Sequence, residues 1–377
     1  MKILAIDDQQ LILLSVQRKL KEIGYLVKTA SSGKEGIEIF KEFKPNLVIM
    51  DMNMPEMTGL EVIDQLKEID MNVPIMVMSG NNDESVILNG FELGIVDYMK
   101  KPIGLDEMVA RVKRTIGAPI LEKRSVKKET QLIQKHCVGV VIPCYNEEDR
   151  LSGKEFQDFA RRHPGYHLCF VNDGSTDNTL EVLQEIRKGN EDSISIYNCE
   201  KNGGKAEAVR QGILHLAKDG QFDYMGYLDA DLSTDFTDFD ELVRTIEGSQ
   251  FDIVSGSRIS RMGADITKES ARKIISKTIN LIIQKILGMP FKDTQCGAKV
   301  MRPHTVASVF DKPFKTRWLF DVEIFIRMGK KYGKEKANSL ICEQPLKRWI
   351  HADGSKLSMK DSIKIIWQLG QLSFKYR

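Results

Sequence analysis

The chain repeats one phrase: a short apolar run ends in a polar group, and an amphipathic helical pattern follows. Up to residue 117 the runs are "KILAID", "NLVIMD", "PIMVMSG" and "VDYMKKP". This alternation makes each run a strand and each connection a crossover helix, so it predicts an α/β fold with a parallel sheet and helices on both faces. A second series begins at "VGVVIPCYNEE" and continues through "HLCFVNDGS", "SISIYNCEKN", "YMGYLDAD" and "FDIVSGSR". After about residue 258 the pattern turns mostly helical, as in "ESARKIISKTINLIIQKILG". The stretch between the two series is charged and lacks a strong apolar period, which suits a linker or an exposed helix. The expected organisation is a domain over 1–117, a linker over 118–136 and a second domain over 137–377.

A chain of 377 residues, 42% apolar and 29% charged, is expected to be a soluble globular protein of two or three domains. No apolar run approaches the roughly 18 residues that a membrane span needs. The chain opens directly on a strand-like run, so no signal peptide is expected. Six cysteines without a CxxC pair read as reduced thiols of a cytoplasmic protein. The net charge of +2 hides an asymmetry. Residues 136–255 carry 11 Lys/Arg against 23 Asp/Glu, and residues 256–377 carry 25 against 10. The basic last third is either an ordinary solvated surface or a surface for an anionic partner such as phosphate, nucleic acid or an anionic membrane face.

In a parallel sheet the strand C-termini converge on one edge, where ligands bind. In the first series Asp7 and Asp8 follow strand one, Asp51 strand three, Ser79 strand four and Lys101 strand five. Three carboxylates at one edge suit Mg²⁺, a hard cation that takes oxygen ligands. A lysine opposite would balance a phosphoryl group. Each residue alone is an ordinary loop or cap residue; five at successive strand ends suit one task.

With "DD" at Asp7–Asp8, "DMNMPEMTG" from Asp51, Ser79 after an apolar strand and "DYMKKP" around Lys101, this third of the chain resembles the response-regulator receiver family, a flavodoxin-like doubly wound sheet. The resemblance implies that Asp51 is the phosphoacceptor, a carboxylate nucleophile served by a sensor histidine kinase. Asp7, Asp8, Asp51 and the Asn53 carbonyl would hold Mg²⁺, Ser79 and Lys101 would contact the phosphoryl group, and Tyr98 takes the family's aromatic switch position. As a bare residue Tyr98 is a half-buried core aromatic. Nothing after residue 120 reads as a DNA-binding module, so no nucleic-acid partner is expected.

In "YMGYLDAD" two carboxylates two residues apart follow an apolar strand. On extended backbone Asp229 and Asp231 point the same way and can share a divalent metal that bridges a diphosphate. A lone DxD is commonly a loop or cap, and Asp235 reads as the cap of the next helix. The ordered set "VVIPCYNEEDRL", "VNDGSTDNT", "NGGKAEAVRQGI", "DADLSTD" and "VSGSR" resembles the GT-A family 2 glycosyltransferases, with a Rossmann-like fold. "DTQCGAKV", "RWLFDVEIFI" and "ADGSKLS" narrow the resemblance to the polyprenyl-phosphate branch.

By that resemblance Pro143, Tyr145 and Glu147 would line the nucleotide pocket and Asp173 would bond the base. Lys205 follows a glycine pair at a helix start suited to anions. Asp229 and Asp231 would hold Mg²⁺ or Mn²⁺ against a nucleotide-sugar diphosphate. Arg258, Arg272 and Ser276 would bind a lipid phosphate, and Lys356 would close over the diphosphate. Arg272 and Ser276, four apart on one helix face, could equally be solvated. Asp321 and Glu323 resemble a functional motif; a phosphate acceptor needs no strong base, so these two would orient the acceptor loop or pair with arginines. The reaction that the resemblance implies is inverting transfer of a hexose from UDP-glucose or GDP-mannose to polyprenyl phosphate, peripheral on the inner face of the membrane and controlled by phosphorylation. Control would act by blocking the acceptor groove or, the favoured route, by homodimerisation. The alternatives are a protein or polysaccharide acceptor, with Asp321 or Glu323 as base, and an inactive scaffold.

Overall fold

The computed structural model describes residues 1–80, 84–119, 132–133, 136–258, 265–266, 280–349 and 359–376. The chain divides into two compact units, Met1–Cys137 with Asp158–His167, and Val138–Gln157 with Leu168–Arg377.

The first unit contains a five-stranded parallel sheet of β1 (Lys2–Ile6), β2 (Leu26–Ala30), β3 (Leu47–Asp51), β4 (Ile75–Ser79) and β5 (Asp97–Lys100), in the order β2-β1-β3-β4-β5. β3 and β4 are buried at every position, as continuous apolar runs require when helices cover both faces. Helices Gln10–Glu22, Gly33–Phe43, Gly59–Ile69, Glu84–Glu92 and Leu105–Ile116 form the connections and the final turn of the chain over the sheet. Ser32 caps the second helix, and Thr58 with Glu61 forms a capping box on the third. The strand order reverses between β1 and β3, so a crevice opens there at the carboxyl ends, between Asp7 and Asp51. A short strand β6 (Ile103–Gly104) pairs antiparallel with β7 (Leu132–Ile133). Part of the expected linker is therefore tied back to the receiver-like unit, a pairing of two residues too short to leave a period in the sequence.

The second unit contains a seven-stranded sheet of β8 (Val138–Cys144), β9 (Tyr166–Asn172), β10 (Ile194–Asn198), β11 (Tyr224–Leu228), β12 (Ile253–Ser257), β14 (Ala298–Met301) and β15 (Ile341–Pro345), in the order β10-β9-β8-β11-β14-β12-β15. A further two-stranded pair joins β13 (Asp265–Ile266) to β16 (Arg348–Trp349). β14 runs antiparallel to both β11 and β12, which makes the sheet mixed. Four strands thus lie in the third of the chain expected to be mostly helical, two of them in the larger sheet; "AKVM" and "ICEQP" are too short to be told from helix by periodicity. Helices Thr179–Arg187, Lys205–Asp219, Phe236–Glu247 and Phe320–Tyr332 flank the larger sheet in sequence, and Met359–Lys375 ends the described chain. Asp235 caps the helix at Phe236, its carboxylate accepting the Asp238 amide, as expected. Of the helical run expected over 269–287, residues 280–287 are helical and the earlier ones lie outside the described residues.

Candidate functional site

The receiver-like unit gathers its polar groups at the crevice. Lys101, just past β5, crosses the sheet edge to lie 2.8 Å from Asp7 and 3.1 Å from Asp51. All three side chains are buried. Burial pushes the Asp7 carboxyl up to about 6; Lys101 opposes the shift and the Asp51 charge adds to it. Burial works against the Lys101 ammonium too, but the Asp7 and Asp51 carboxylates outweigh it and raise its pKa. Asp7, Asp8 and Asp51 each bring an oxygen within 4.8 Å of the others, an all-oxygen set that could hold a hard cation. Asp51 Oδ1 accepts the amides of Met52 and Asn53, which orients the carboxylate. The Asn53 side-chain amide donates to Ser79 Oγ at 3.3 Å, a link not anticipated from the sequence. Tyr98 is half-buried against the core of this unit.

In the second unit β8 and β11 lie side by side, and their carboxyl ends carry "PCYNEE" and "DAD". The loop after β8 is stitched to the loop after β9. The Asn146 amide donates to Ser175 Oγ, the Thr176 amide to Asn146 Oδ1, and the Glu147 amide to Thr179 Oγ1. Asn146 takes the left-handed conformation at φ 53°, one of the few residue types that tolerates it. Tyr145 is exposed and Pro143 half-buried. Burial raises the Glu147 carboxyl; Arg150, 2.9 Å away, opposes this and the Asp231 charge adds to it. Glu147 and Asp231 thus share one acidic region. Asp173, at the end of β9, spends its oxygens on backbone: Oδ1 accepts from Gly203 and Oδ2 from Gly204, both at 2.8 Å. In this structure it holds the glycine loop.

That loop turns at Gly204, with φ 85°, and starts the helix at Lys205. The Lys205 ammonium lies 2.5 Å from Asp229 Oδ1. Burial alone would depress Lys205; Asp229, Asp321 and Asp231 outweigh it and raise its pKa. Asp229 Oδ1 is buried and accepts no hydrogen bond of ordinary geometry. Asp231 Oδ1 accepts the Ser233 amide at 2.9 Å. The strand ends at Leu228 and the chain turns from Asp229 to Leu232, so the two carboxylates are not on the extended backbone expected. With Asp229 balanced by Lys205 and Asp231 by a backbone amide, they could still hold a hard divalent cation whose remaining ligands a diphosphate would supply.

The antiparallel strand β14 explains the room around Asp229. Leu228 pairs with Ala298, so Asp229 lies against Gly297, and its amide donates to the Gly297 carbonyl. A Cβ on Gly297 would stand 1.9 Å from Asp229 Oδ2. One residue further, Lys299 is paired with Tyr227. Its fully buried ammonium donates to Asp321 Oδ1 at 2.6 Å and to the Cys296 carbonyl at 2.8 Å, and the Tyr227 hydroxyl donates to the same Asp321 oxygen. Glu323 is fully buried. It accepts from the Lys315 amide, Arg327 and the Tyr376 hydroxyl. Neither carboxylate is set out to take a proton from a substrate. Of the two roles expected for them, the geometry favours holding the 315–327 region over acting as base.

Arg258, after β12, forms a two-pronged pair with Asp293: Nε at 2.7 Å and a terminal nitrogen at 2.8 Å, with its amide on the same carboxylate. Burial opposes its charge, Asp293 overcomes this, and Asp229 contributes from further off. Glu343 on β15 fixes the clamp by accepting the Asp293 amide and the Ser257 hydroxyl. Asp293, Lys299 and Gly297 all come from "DTQCGAKV", which the sequence marked as a motif without assigning a role to any member. Arg272, Ser276 and Lys356 lie outside the described residues. Among the described residues, no helix is long and apolar enough to cross a membrane.

A family model for the response regulator receiver domain matches residues 3–113, and one for glycosyl transferase family 2 matches residues 139–310. A dolichyl-phosphate beta-glucosyltransferase of Dictyostelium discoideum is 30% identical over 254 residues, covering 63% of this chain and 74% of that protein. One of Saccharomyces cerevisiae is 30% identical over 297 residues, covering 73% and 83%. The alkaline phosphatase synthesis transcriptional regulatory protein PhoP of Bacillus subtilis is 36% identical over 137 residues, 35% of this chain and 57% of PhoP. Among solved structures, the chemotaxis protein CheY4 of Vibrio cholerae aligns at 27% identity over 30% of this chain and 97% of its own, with a TM-score of 0.30. The chain belongs to glycosyl transferase family 2, and it is a glycosyltransferase that carries a response regulator receiver domain at its N-terminal side.

Proposed function

We propose that the enzyme moves a hexose from UDP-glucose or GDP-mannose to a polyprenyl phosphate at a membrane surface, and that phosphorylation of Asp51 sets the rate. The observation that carries the transfer reading is the convergence of Asp229, Asp231, Lys205 and Arg258 at the carboxyl edge of one sheet. The Dictyostelium and Saccharomyces relatives are named for dolichyl phosphate, which supports a lipid phosphate as acceptor. Asp229 and Asp231 would hold Mg²⁺ or Mn²⁺, which when bound supplies positive charge for the departing diphosphate.

The chain's own residues do the rest. The acceptor's phosphate has a second pKa near about 6, so at neutral pH it is mostly dianionic. One of its oxygens attacks the anomeric carbon, forming the new C–O bond. The bond to the nucleoside diphosphate breaks, and its electron pair leaves with the diphosphate. No proton need be removed, which agrees with the burial of Asp321 and Glu323. An α-linked donor would give a β-linked product. The Lys205 ammonium and the helix start behind it favour the diphosphate. Arg258, held by Asp293, would lend its positive charge to a phosphate acceptor. The net positive charge of residues 256–377 would draw the protein to an anionic bilayer.

At the receiver, an Asp51 carboxylate oxygen would attack the phosphorus of a kinase phosphohistidine, forming an acyl phosphate as the P–N bond breaks and its electron pair leaves with the imidazole, with Asp7, Asp8 and Asp51 as candidate Mg²⁺ ligands and Lys101 and Ser79 facing the transferred group. Steady-state kinetics of Arg258→Ala test the acceptor assignment. The Michaelis constant for polyprenyl phosphate should rise, and that for the nucleotide sugar should stay nearly constant. An equal rise in both would place Arg258 on the donor instead.

A further inference from the structure

Asp229 makes its closest approach to a cation of the chain itself. The Lys205 ammonium, 2.5 Å from Oδ1, occupies the oxygen that otherwise accepts no hydrogen bond of ordinary geometry. The side chains of both residues retain roughly 30% exposure, although the contacting Asp229 Oδ1 is itself buried. Among the described residues, Lys205 forms no second ion pair. Asp321, the next carboxylate it senses, is already engaged by Lys299 and Tyr227. Asp229 cannot easily retreat from its lysine: its other oxygen faces Gly297 with no room for even a methyl group, and its amide is bonded there.

A divalent ion bound through Asp229 and an ammonium 2.5 Å from the same carboxylate compete, because the two positive charges would stand a few ångströms apart. We infer that Lys205 is a resident counterion that competes with a divalent cation for Asp229, and that the nucleotide's diphosphate receives it. This rests on the reading of Asp229 and Asp231 as a metal site. The nearest strong anion then available to the displaced ammonium is the diphosphate that arrives with the metal. Metal alone therefore competes with Lys205 without offering it a replacement partner, whereas metal with nucleotide supplies one. The two ligands become coupled: each binds better in the presence of the other. Lys205 is thus a positioning residue that makes metal loading conditional on donor loading.

The test is Mn²⁺ binding to the full-length protein, read as loss of the free-ion paramagnetic resonance signal, with no nucleotide and with saturating UDP or GDP. The receiver would bind a cation of its own, so the transferase site is taken as the Mn²⁺ binding lost in Asp229→Asn. Lys205→Met should tighten this component about tenfold without nucleotide and should shrink the tightening caused by nucleotide, within the usual span of roughly 5–150-fold for such couplings. Lys205→Arg keeps the positive charge and should keep the coupling. If Lys205→Met leaves Mn²⁺ affinity unchanged or weaker, the counterion role is overturned while the metal site stands. If Asp229→Asn removes no Mn²⁺ binding under any condition, the metal site itself is wrong.

Discussion

Replacing Gly297 by alanine is the smallest change that should stop the reaction without touching a charged group. The new Cβ would stand 1.9 Å from Asp229 Oδ2 and 2.2 Å from its Cγ, where ordinary contact begins near 3.4 Å. One of the two must move by about 1.5 Å. The backbone cannot yield cheaply, since Asp229 and Gly297 share a hydrogen bond at the start of the β11–β14 ladder. Relieving the overlap by turning the carboxylate would move it from its present place beside Lys205. A misplacement of about 1 Å can cost about 10²-fold in rate, so Gly297→Ala should lose at least that. Overpacking of this kind typically costs about 1–3 kcal/mol in stability, which leaves the fold intact to be checked by circular dichroism. Gly370 is a matched control: an added Cβ there meets nothing within 4 Å, and Gly370→Ala should keep the parental rate. The assay is formation of lipid-linked sugar per mole of folded protein. A Gly297→Ala enzyme within twofold of the parent would refute the tight packing of Asp229 against this strand as a requirement for activity.

Asp229→Ala and Asp231→Ala should each abolish transfer, and EDTA should do the same to the parent enzyme; full activity in EDTA would rule out a metal requirement. Mg²⁺ binding at the receiver should weaken about tenfold between pH 7 and pH 5, because Asp7, pushed up to about 6, is protonated below that value and a ligand must shed its proton first. Calorimetric titration at the two pH values checks this, and a flat profile would contradict the burial of Asp7. A phosphoryl mimic bound at Asp51 should change the transfer rate, and Asp51→Ala should abolish that response; sedimentation with and without the mimic separates dimerisation from blocking of the groove. An unchanged rate and mass would leave the receiver without control over the transferase.

Much of the receiver was legible because its chemistry sits at strand ends, where an apolar run hands over to a polar residue. Asp7, Asp51, Ser79 and Lys101 each follow such a run, and parallel topology brings them together. The same logic exposed Asp229, Asp231 and Asp173. What the sequence concealed depends on one reversed strand. Four residues, "AKVM", carry no period, so nothing in the string says that β14 lies antiparallel between β11 and β12. That reversal is what sets Gly297 against Asp229 and Lys299 beside Tyr227. Lys299 on that strand engages Asp321, a partner the sequence did not suggest, whereas Glu323 pairs with Arg327 four residues on, in line with the expected pairing with arginines. Asp293 was hidden for the same reason: its partner Arg258 is 35 residues away, and no spacing rule links them.

The most direct test of the transferase reading is a donor panel. The full-length protein is incubated with Mn²⁺ or Mg²⁺, a polyprenyl phosphate and each labelled nucleotide sugar in turn, and organic-phase product is counted and its anomeric configuration determined. One donor, UDP-glucose or GDP-mannose, should give a β-linked polyprenyl-phosphate hexose that vanishes with Asp229→Ala. Label that stays in the aqueous phase with every donor, or passes only to protein or polysaccharide, would contradict it.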